Sequence, residues 1–143
     1  GPDRSRMEKL ARELDCQRDV RFLGKLEAVE EVLSVSDLFL MPSENESFGL
    51  AALEAMACEV PVVSTNAGGI PELNVHGVTG MLSNIGDVED MVKNALYVLD
   101  DEHLPRFRAA ARARAEEFAV GNIVPLYEDC YARAMQAALQ AVG

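Results

Sequence analysis

Two short, mostly apolar runs, each close to a helical segment, constrain the fold of this chain more than any other feature. Asp37–Met41 (DLFLM) and Pro61–Thr65 (PVVST) have the pattern of strands that are buried on both faces of a sheet. Phe48–Cys58 lies between them and has a helical pattern, and weaker strands are predicted at Val20–Leu23 and Thr79–Ser83. This alternation of strands and helices predicts a parallel sheet with helices on both faces.

The remaining segments are predicted to be helical. Apolar residues recur at helical spacing in the first segment (Met7, Leu10, Ala11 and Leu14). Further helices are predicted over Ala28–Val35, after an Asp87 cap, and over 104–118 and 122–141. The whole pattern predicts an α/β protein with a Rossmann-like layering. Because such a domain normally opens with a strand, the helical start predicts that more chain precedes residue 1.

Composition excludes several classes of function. The chain has 143 residues and carries 13 Lys and Arg against 24 Asp and Glu, a net charge of −11. That charge repels nucleic-acid phosphates and acidic lipids, so we expect neither as a partner. No apolar run approaches the ~20 residues that a membrane span needs. Three widely separated cysteines, Cys16, Cys58 and Cys130, predict a reducing, cytoplasmic compartment rather than disulfides or a structural zinc site.

Ligand chemistry is expected where the buried strands end, because ligands of parallel sheets bind at the carboxyl ends of the strands. The segment after the first strand, S-E-N-E-S-F-G-L-A-A-L-E, contains Glu46 on a loop and Glu54 on a helix. Ser47 is the predicted N-cap of that helix, so its first amides suit a diphosphate. Glu54 lies about 9 Å beyond this start, within reach of a ribose. A glutamate pair without further context is usually a solvated surface feature.

The second buried strand is followed by N-A-G-G-I-P-E, residues 66–72. Its two glycines allow close backbone approach, and Pro71 can begin a short helix. A tight turn and a segment that contacts ligand explain this pattern equally well. His76–Gly80 is interpreted as a turn that leads into the next strand.

These segments resemble the C-terminal nucleotide-sugar-binding domain of the retaining GT-B glycosyltransferases of family 4. The resemblance covers nearly the whole chain, and its centre is an E-x(7)-E motif from Glu46 to Glu54, embedded in S-F-G-L and followed by G-G-I-P-E. It implies that Glu46 is a catalytic residue that contacts the sugar hydroxyls and that Glu54 binds the ribose. It also implies that the amides of Phe48, Gly49 and Leu50 hold the diphosphate and that backbone groups near Leu26 hold the uracil.

The same resemblance implies a nucleotide-sugar donor, no metal and no other cofactor. Likeness to the malate-glycosylating members, including the late N-I-V-P-L-Y-E, implies transfer of N-acetylglucosamine from UDP to L-malate. It also implies that residues 1–143 lack the first strands of the domain, the Arg and Lys that neutralise the phosphates, and an N-terminal acceptor domain. We therefore expect the isolated chain to be inactive and to form a homo-oligomer.

Three alternatives stay open from the sequence. The parent enzyme could act on lipid, polysaccharide or sugar-phosphate acceptors instead of malate. The chain could be a nucleotide-sugar-binding module without catalysis of its own. An interaction domain that has lost its ligand is the third, and the intact pair of Glu46 and Glu54 argues against it.

Overall fold

The structure is a computed structural model that describes residues 2–119, in which three parallel strands form one sheet. The strands are β1 (Phe39–Met41), β2 (Val62–Thr65) and β3 (Gly80–Ser83), and they lie side by side in chain order. Met41 lies opposite Ser64 in the register of β1 and β2. The predicted Rossmann-like parallel sheet is therefore confirmed.

Helices precede, connect and follow these strands. The predicted helix over 122–141 lies outside the described residues. Within residues 2–119 the helices are α1 (Arg4–Glu13), α2 (Val29–Leu33), α3 (Leu50–Ala57), α4 (Ile70–Leu73), α5 (Val88–Leu99) and α6 (Leu104–Glu117).

The central strand β2 organises a core on both faces of the sheet. Val62 packs on one face in a cluster with Met56 of α3 and Ala111 of α6. Val63, the next residue, packs on the opposite face with Val98 of α5 and Phe107 of α6. Alternate strand residues point to opposite faces, so every residue of β2 is buried.

Helix α5 begins where the sequence predicts, because the Asp87 carboxylate accepts the N–H of Asp90 at 3.0 Å. The sequence predicts a different, apolar face for this helix, formed by residues at helical spacing (Val88, Met91, Val92, Ala95, Leu96 and Leu99). Asn94 and Val98 are buried, and the Asn94 side-chain amide donates to the Ser83 hydroxyl at 2.9 Å, which ties the helix to β3. The apolar residues on the other side of the helix are exposed (Val88, Val92 and Leu96).

Two strand predictions are corrected by the structure. Val20–Leu23 is irregular, and Val20 and Leu23 are exposed. A strand needs a neighbour to complete its hydrogen bonds, and within residues 2–119 β1 pairs only with β2. Asp37–Met41 was expected to be buried on both faces, yet Leu40 is 52% exposed because β1 lies at the edge of the sheet.

Arginines of α6 bind the carboxyl ends of two other helices. Arg112 donates to the Ala57 carbonyl of α3 at 2.6 Å, and Arg114 donates to the Leu73 carbonyl of α4 at 3.2 Å. The final carbonyls of a helix have no intrahelical donor, and a cation there also complements the helix dipole. A hydrogen bond from Arg112 to Glu116, together with the charge of that carboxylate, raises the pKa of Arg112. These contacts anchor α3, whose other end forms the candidate site.

Candidate functional site

The backbone of the loop that joins β1 to α3 forms hydrogen bonds with the side-chain carboxylate of Glu46, a residue of the same loop. One carboxylate oxygen of Glu46 accepts the N–H of Ser47 at 3.1 Å and the N–H of Gly49 at 3.3 Å. Glu46 is half-buried by this arrangement. The loop therefore holds an anionic group on backbone amides immediately before a helix begins, which is the arrangement that phosphate-binding loops use.

The predicted N-cap of α3 is wrong by two residues. The N-cap is Gly49, not Ser47, and Gly49 adopts a left-handed conformation with φ of +88°. A left-handed turn is open to glycine at little cost, and it lets the chain enter the helix directly from the loop. The amides of Phe48 and Gly49 consequently precede the helix, and only Leu50 of the three predicted phosphate donors belongs to its first turn.

Side chains around this helix start are held by packing. The Phe48 ring lies edge-on to Phe118 with their centroids 5.6 Å apart. Gly49 is buried beneath Ile70 and Leu73 of α4. Leu50 is exposed. The backbone amides of this segment are thus presented by a loop that rests on the core.

A second loop, after β2, lies against the first. Gly69 donates its N–H toward the Glu46 carbonyl at 3.4 Å, and the Thr65 hydroxyl donates to the Ser43 carbonyl. Both loops leave the same edge of the sheet because β1 and β2 are parallel neighbours. The motif N-A-G-G-I-P-E therefore supports the Glu46 loop, and its Pro71 lies in the first turn of α4 as predicted.

Glu46 and Glu54 line different surface grooves. The Glu46 groove, of about 360 Å³, is lined by Glu44, Asn45, Glu46, Ser47 and Gly68. The Glu54 groove, of about 370 Å³, lies between α2 and α3 and is lined by Glu27, Val29, Glu30, Leu33, Glu54, Ala57 and Cys58. The two glutamates therefore belong to separate grooves, and the second is the one where the ribose is predicted to bind.

Leu26 faces a third groove, beside Arg4 and Met7 of α1. Its neighbour Glu27 lines the Glu54 groove, so the backbone that was predicted to hold uracil runs next to the predicted ribose ligand. The roles assigned to Glu46, Glu54, Leu26 and the three amides stay predictions.

Sequence reasoning missed two features of the site. The first is the direct contact between the Gly68-Gly69 pair and the Glu46 loop, which the double glycine after a buried strand could have signalled. The second is the acidic character of the Glu54 groove, where Glu27 and Glu30 also contribute carboxylates. No local pattern connects these positions, which meet only when α2 packs on α3.

Within residues 2–119 no three His, Cys, Asp or Glu side chains are grouped to hold a metal ion. None of the helices described there is long and apolar enough to cross a membrane.

The parallel sheet and the E-x(7)-E motif are typical of a glycosyltransferase domain. The sequence model of the family described as glycosyl transferases group 1 matches residues 1–118, and the chain belongs to this family.

Among the curated relatives, the N-acetyl-alpha-D-glucosaminyl L-malate synthase of Bacillus anthracis is 45% identical over 134 residues, which cover 92% of this chain and 35% of that protein. The D-inositol 3-phosphate glycosyltransferase of Mycolicibacterium smegmatis is 38% identical over 129 residues, which cover 89% of this chain and 30% of that protein. The chain thus spans about a third of the length of these relatives.

Solved structures show the same fold. Anabaena Alr3699/HepE in complex with UDP superposes with a TM-score of 0.83 at 27% identity, over 90% of this chain and 36% of that one. Its complex with UDP-glucose superposes with a TM-score of 0.74 at 29% identity, over 79% of this chain and 32% of that one.

Proposed function

We propose that this chain is the donor-binding part of a retaining glycosyltransferase that moves N-acetylglucosamine from UDP to a hydroxyl of L-malate. The observation that carries the proposal is the Glu46 carboxylate bound by the amides of Ser47 and Gly49. Amides that hold a carboxylate at a helix start also suit the oxygens of a diphosphate. The 45% identity to an N-acetyl-alpha-D-glucosaminyl L-malate synthase supports the choice of sugar and acceptor.

Each part of the donor has a proposed ligand in the chain. The diphosphate binds the amides of Phe48, Gly49 and Leu50, and the Glu46 carboxylate turns from its own loop to the sugar hydroxyls. Glu54 accepts hydrogen bonds from the ribose, since it is exposed on the same helix four residues after Leu50. Backbone groups near Leu26 hold the uracil beside it.

The proposed reaction exchanges one bond at the anomeric carbon. The bond from C1 to the phosphate oxygen breaks, and the acceptor oxygen bonds to C1 on the same face. The acceptor proton passes to the leaving phosphate oxygen, so the products are an α-glycoside and UDP. The chain contributes position and charge rather than a nucleophile, since amides stabilise the phosphate and Glu46 orients the sugar. We expect no metal to take part.

The test uses the full-length protein with UDP-N-acetylglucosamine and L-malate. We expect UDP and α-linked N-acetylglucosaminyl malate, with the anomer read by NMR, at the same rate with and without EDTA. A β-linked product, or a rate abolished by EDTA and restored by a divalent metal, contradicts the mechanism.

A second acceptor class is favoured by one observation, the 38% identity to a D-inositol 3-phosphate glycosyltransferase. The same donor site would then serve a sugar-phosphate acceptor. Turnover of inositol 3-phosphate with none of malate identifies this function and leaves the donor chemistry unchanged.

The proposal also covers the cellular location of the enzyme and the domain that binds its acceptor. We place the enzyme in the cytoplasm, because three widely separated cysteines, an odd number, favour a reducing compartment. An N-terminal domain of the same protein would bind the acceptor and close over the Glu46 groove. Fractionation of cells that produce the full-length protein tests the location.

A further inference from the structure

We propose that Gly68 and Gly69 are positioning residues for Glu46. Their contacts with the carbonyls of Glu46 and Ser47 set where the Glu46 carboxylate points. This inference deepens the proposed function and rests on it, because it concerns the group that orients the sugar.

Gly68 leaves no space for a side chain. A Cβ built at this position would lie 1.7 Å from the carbonyl oxygen of Glu46 and 2.9 Å from its carbonyl carbon. The obstacle is backbone, so no change of rotamer relieves it. A side chain at position 68 must push the Glu46 peptide away by more than one ångström. Gly68 also has a φ of +53°, which adds conformational strain to any substitution.

At Gly69 a substitution would meet a steric clash without backbone strain, so the two effects can be separated there. Its φ of −84° is open to any residue, yet a Cβ there would lie 2.4 Å from the Ser47 carbonyl oxygen. Its own N–H points at the Glu46 carbonyl at 3.4 Å. Glycine is required at position 69 because two backbones touch, and not because the turn needs it.

The two glycines act on the part of the loop that holds the carboxylate. Gly68 and Gly69 meet the carbonyls of Glu46 and Ser47, and the Glu46 side chain is held by the amides of Ser47 and Gly49. A shift of the Glu46 peptide therefore moves the Glu46 carboxylate away from the amides of Ser47 and Gly49. Misplacement of a reacting group by about 1 Å can cost on the order of 10²-fold in rate.

A competing explanation is that the glycines contact the ligand themselves. The two explanations differ in how Gly69→Ala combines with Glu46→Ala. A positioning residue has no effect on rate once the group it positions is gone, whereas a residue that contacts the ligand keeps its own effect.

The kinetic test is a double-mutant cycle in the full-length protein. We expect Gly69→Ala to lower kcat by about 10²-fold while the dissociation constant for UDP changes less than about threefold. We expect the double variant to turn over within about threefold of Glu46→Ala alone. Gly77→Ala is the control, because Gly77 has a φ of +76° with nothing within 4 Å of an added Cβ, and it should keep kcat. Equal losses from Gly69→Ala in both backgrounds overturn the proposal.

A spectroscopic test does not depend on activity. In the full-length protein, Glu46→Gln should shift the amide resonances of Ser47 and Gly49, which donate to the Glu46 carboxylate. The same substitution should leave these resonances unchanged in the Gly69→Ala background, whereas it should still shift them in the Gly77→Ala background. A shift of the same size in the Gly69→Ala background overturns the proposal, and failure of wild-type protein to bind UDP overturns only the proposed function.

Thr65→Val provides a second variant in case Gly69→Ala does not fold. It removes the hydroxyl that ties β2 to the Ser43 carbonyl and adds no atom that would clash with the loop. We expect a several-fold loss of kcat with Glu46 present and none in the Glu46→Ala background. A loss of the same size in both backgrounds contradicts the positioning of Glu46 by the second loop.

Discussion

Replacement of Glu54 by Gln should weaken the binding of UDP. Helix α3 begins at Leu50, so Glu54 lies about 6 Å along the axis from the proposed phosphate site. The Glu54 side chain is exposed and lines a groove large enough for a ribose. A carboxylate there can accept from both ribose hydroxyls, whereas the neutral amide of Gln forms weaker hydrogen bonds at the same length.

The expected magnitude follows from the lost charge. A hydrogen bond to a charged group contributes about 1.5–3 kcal/mol, and water at an exposed site reduces that value. Two weakened bonds at this site should together cost about 1–3 kcal/mol, which raises the dissociation constant by about 5- to 150-fold. Loss of a negative charge near the diphosphate acts in the opposite direction, so the experiment needs a control for charge.

Glu30→Gln is that control, because Glu30 lines the same groove and the substitution changes the charge equally. Titration calorimetry of UDP into the full-length variants measures both effects. We expect weaker binding by Glu54→Gln and equal or tighter binding by Glu30→Gln. Dissociation constants that agree within twofold for the two variants would refute the assignment of Glu54 to the ribose.

Three further predictions follow from the same geometry. Glu46→Ala should bind UDP at least as tightly as the wild type, because the amides of Ser47 and Gly49 become free, while transfer slows by about 10²-fold; weaker UDP binding contradicts this. Gly49→Ala should lower the free energy of unfolding in urea by about 1–2 kcal/mol, since φ is +88° but an added Cβ meets its neighbours at an ordinary 3.6 Å. The isolated 143-residue chain should associate through the edge of β1, which pairs with no second strand within residues 2–119 and carries the exposed Leu40, and a stable monomer in light scattering argues against it.

Local sequence determined most of the regular structure. The apolar runs placed β1 and β2 to within two residues, and Asp87 capped α5 through the amide of Asp90 as predicted. These features depend on side chains a few residues apart, so the pattern of neighbours suffices to predict them. The motif that contains Glu46 and Glu54 likewise predicts the family from local sequence alone, and the family is confirmed.

Features that depend on distant partners were decided by tertiary structure alone. Val20–Leu23 has strand-like composition but forms no strand, because a strand exists only when another segment completes its hydrogen bonds. The helix α3 begins at Leu50 rather than Phe48 because Gly49 takes a left-handed turn against the side chains of α4.

In the candidate site, too, local sequence determines some features and tertiary structure determines others. Its residue types follow from sequence, since carboxylates and glycines at strand ends suit a nucleotide sugar. Their arrangement does not, because the Glu46 loop is shaped by Gly68 and Gly69 more than twenty residues later in the chain. Parallel pairing of β1 with β2 brings the two loops to one edge, and only there does the absence of a Cβ let their backbones touch.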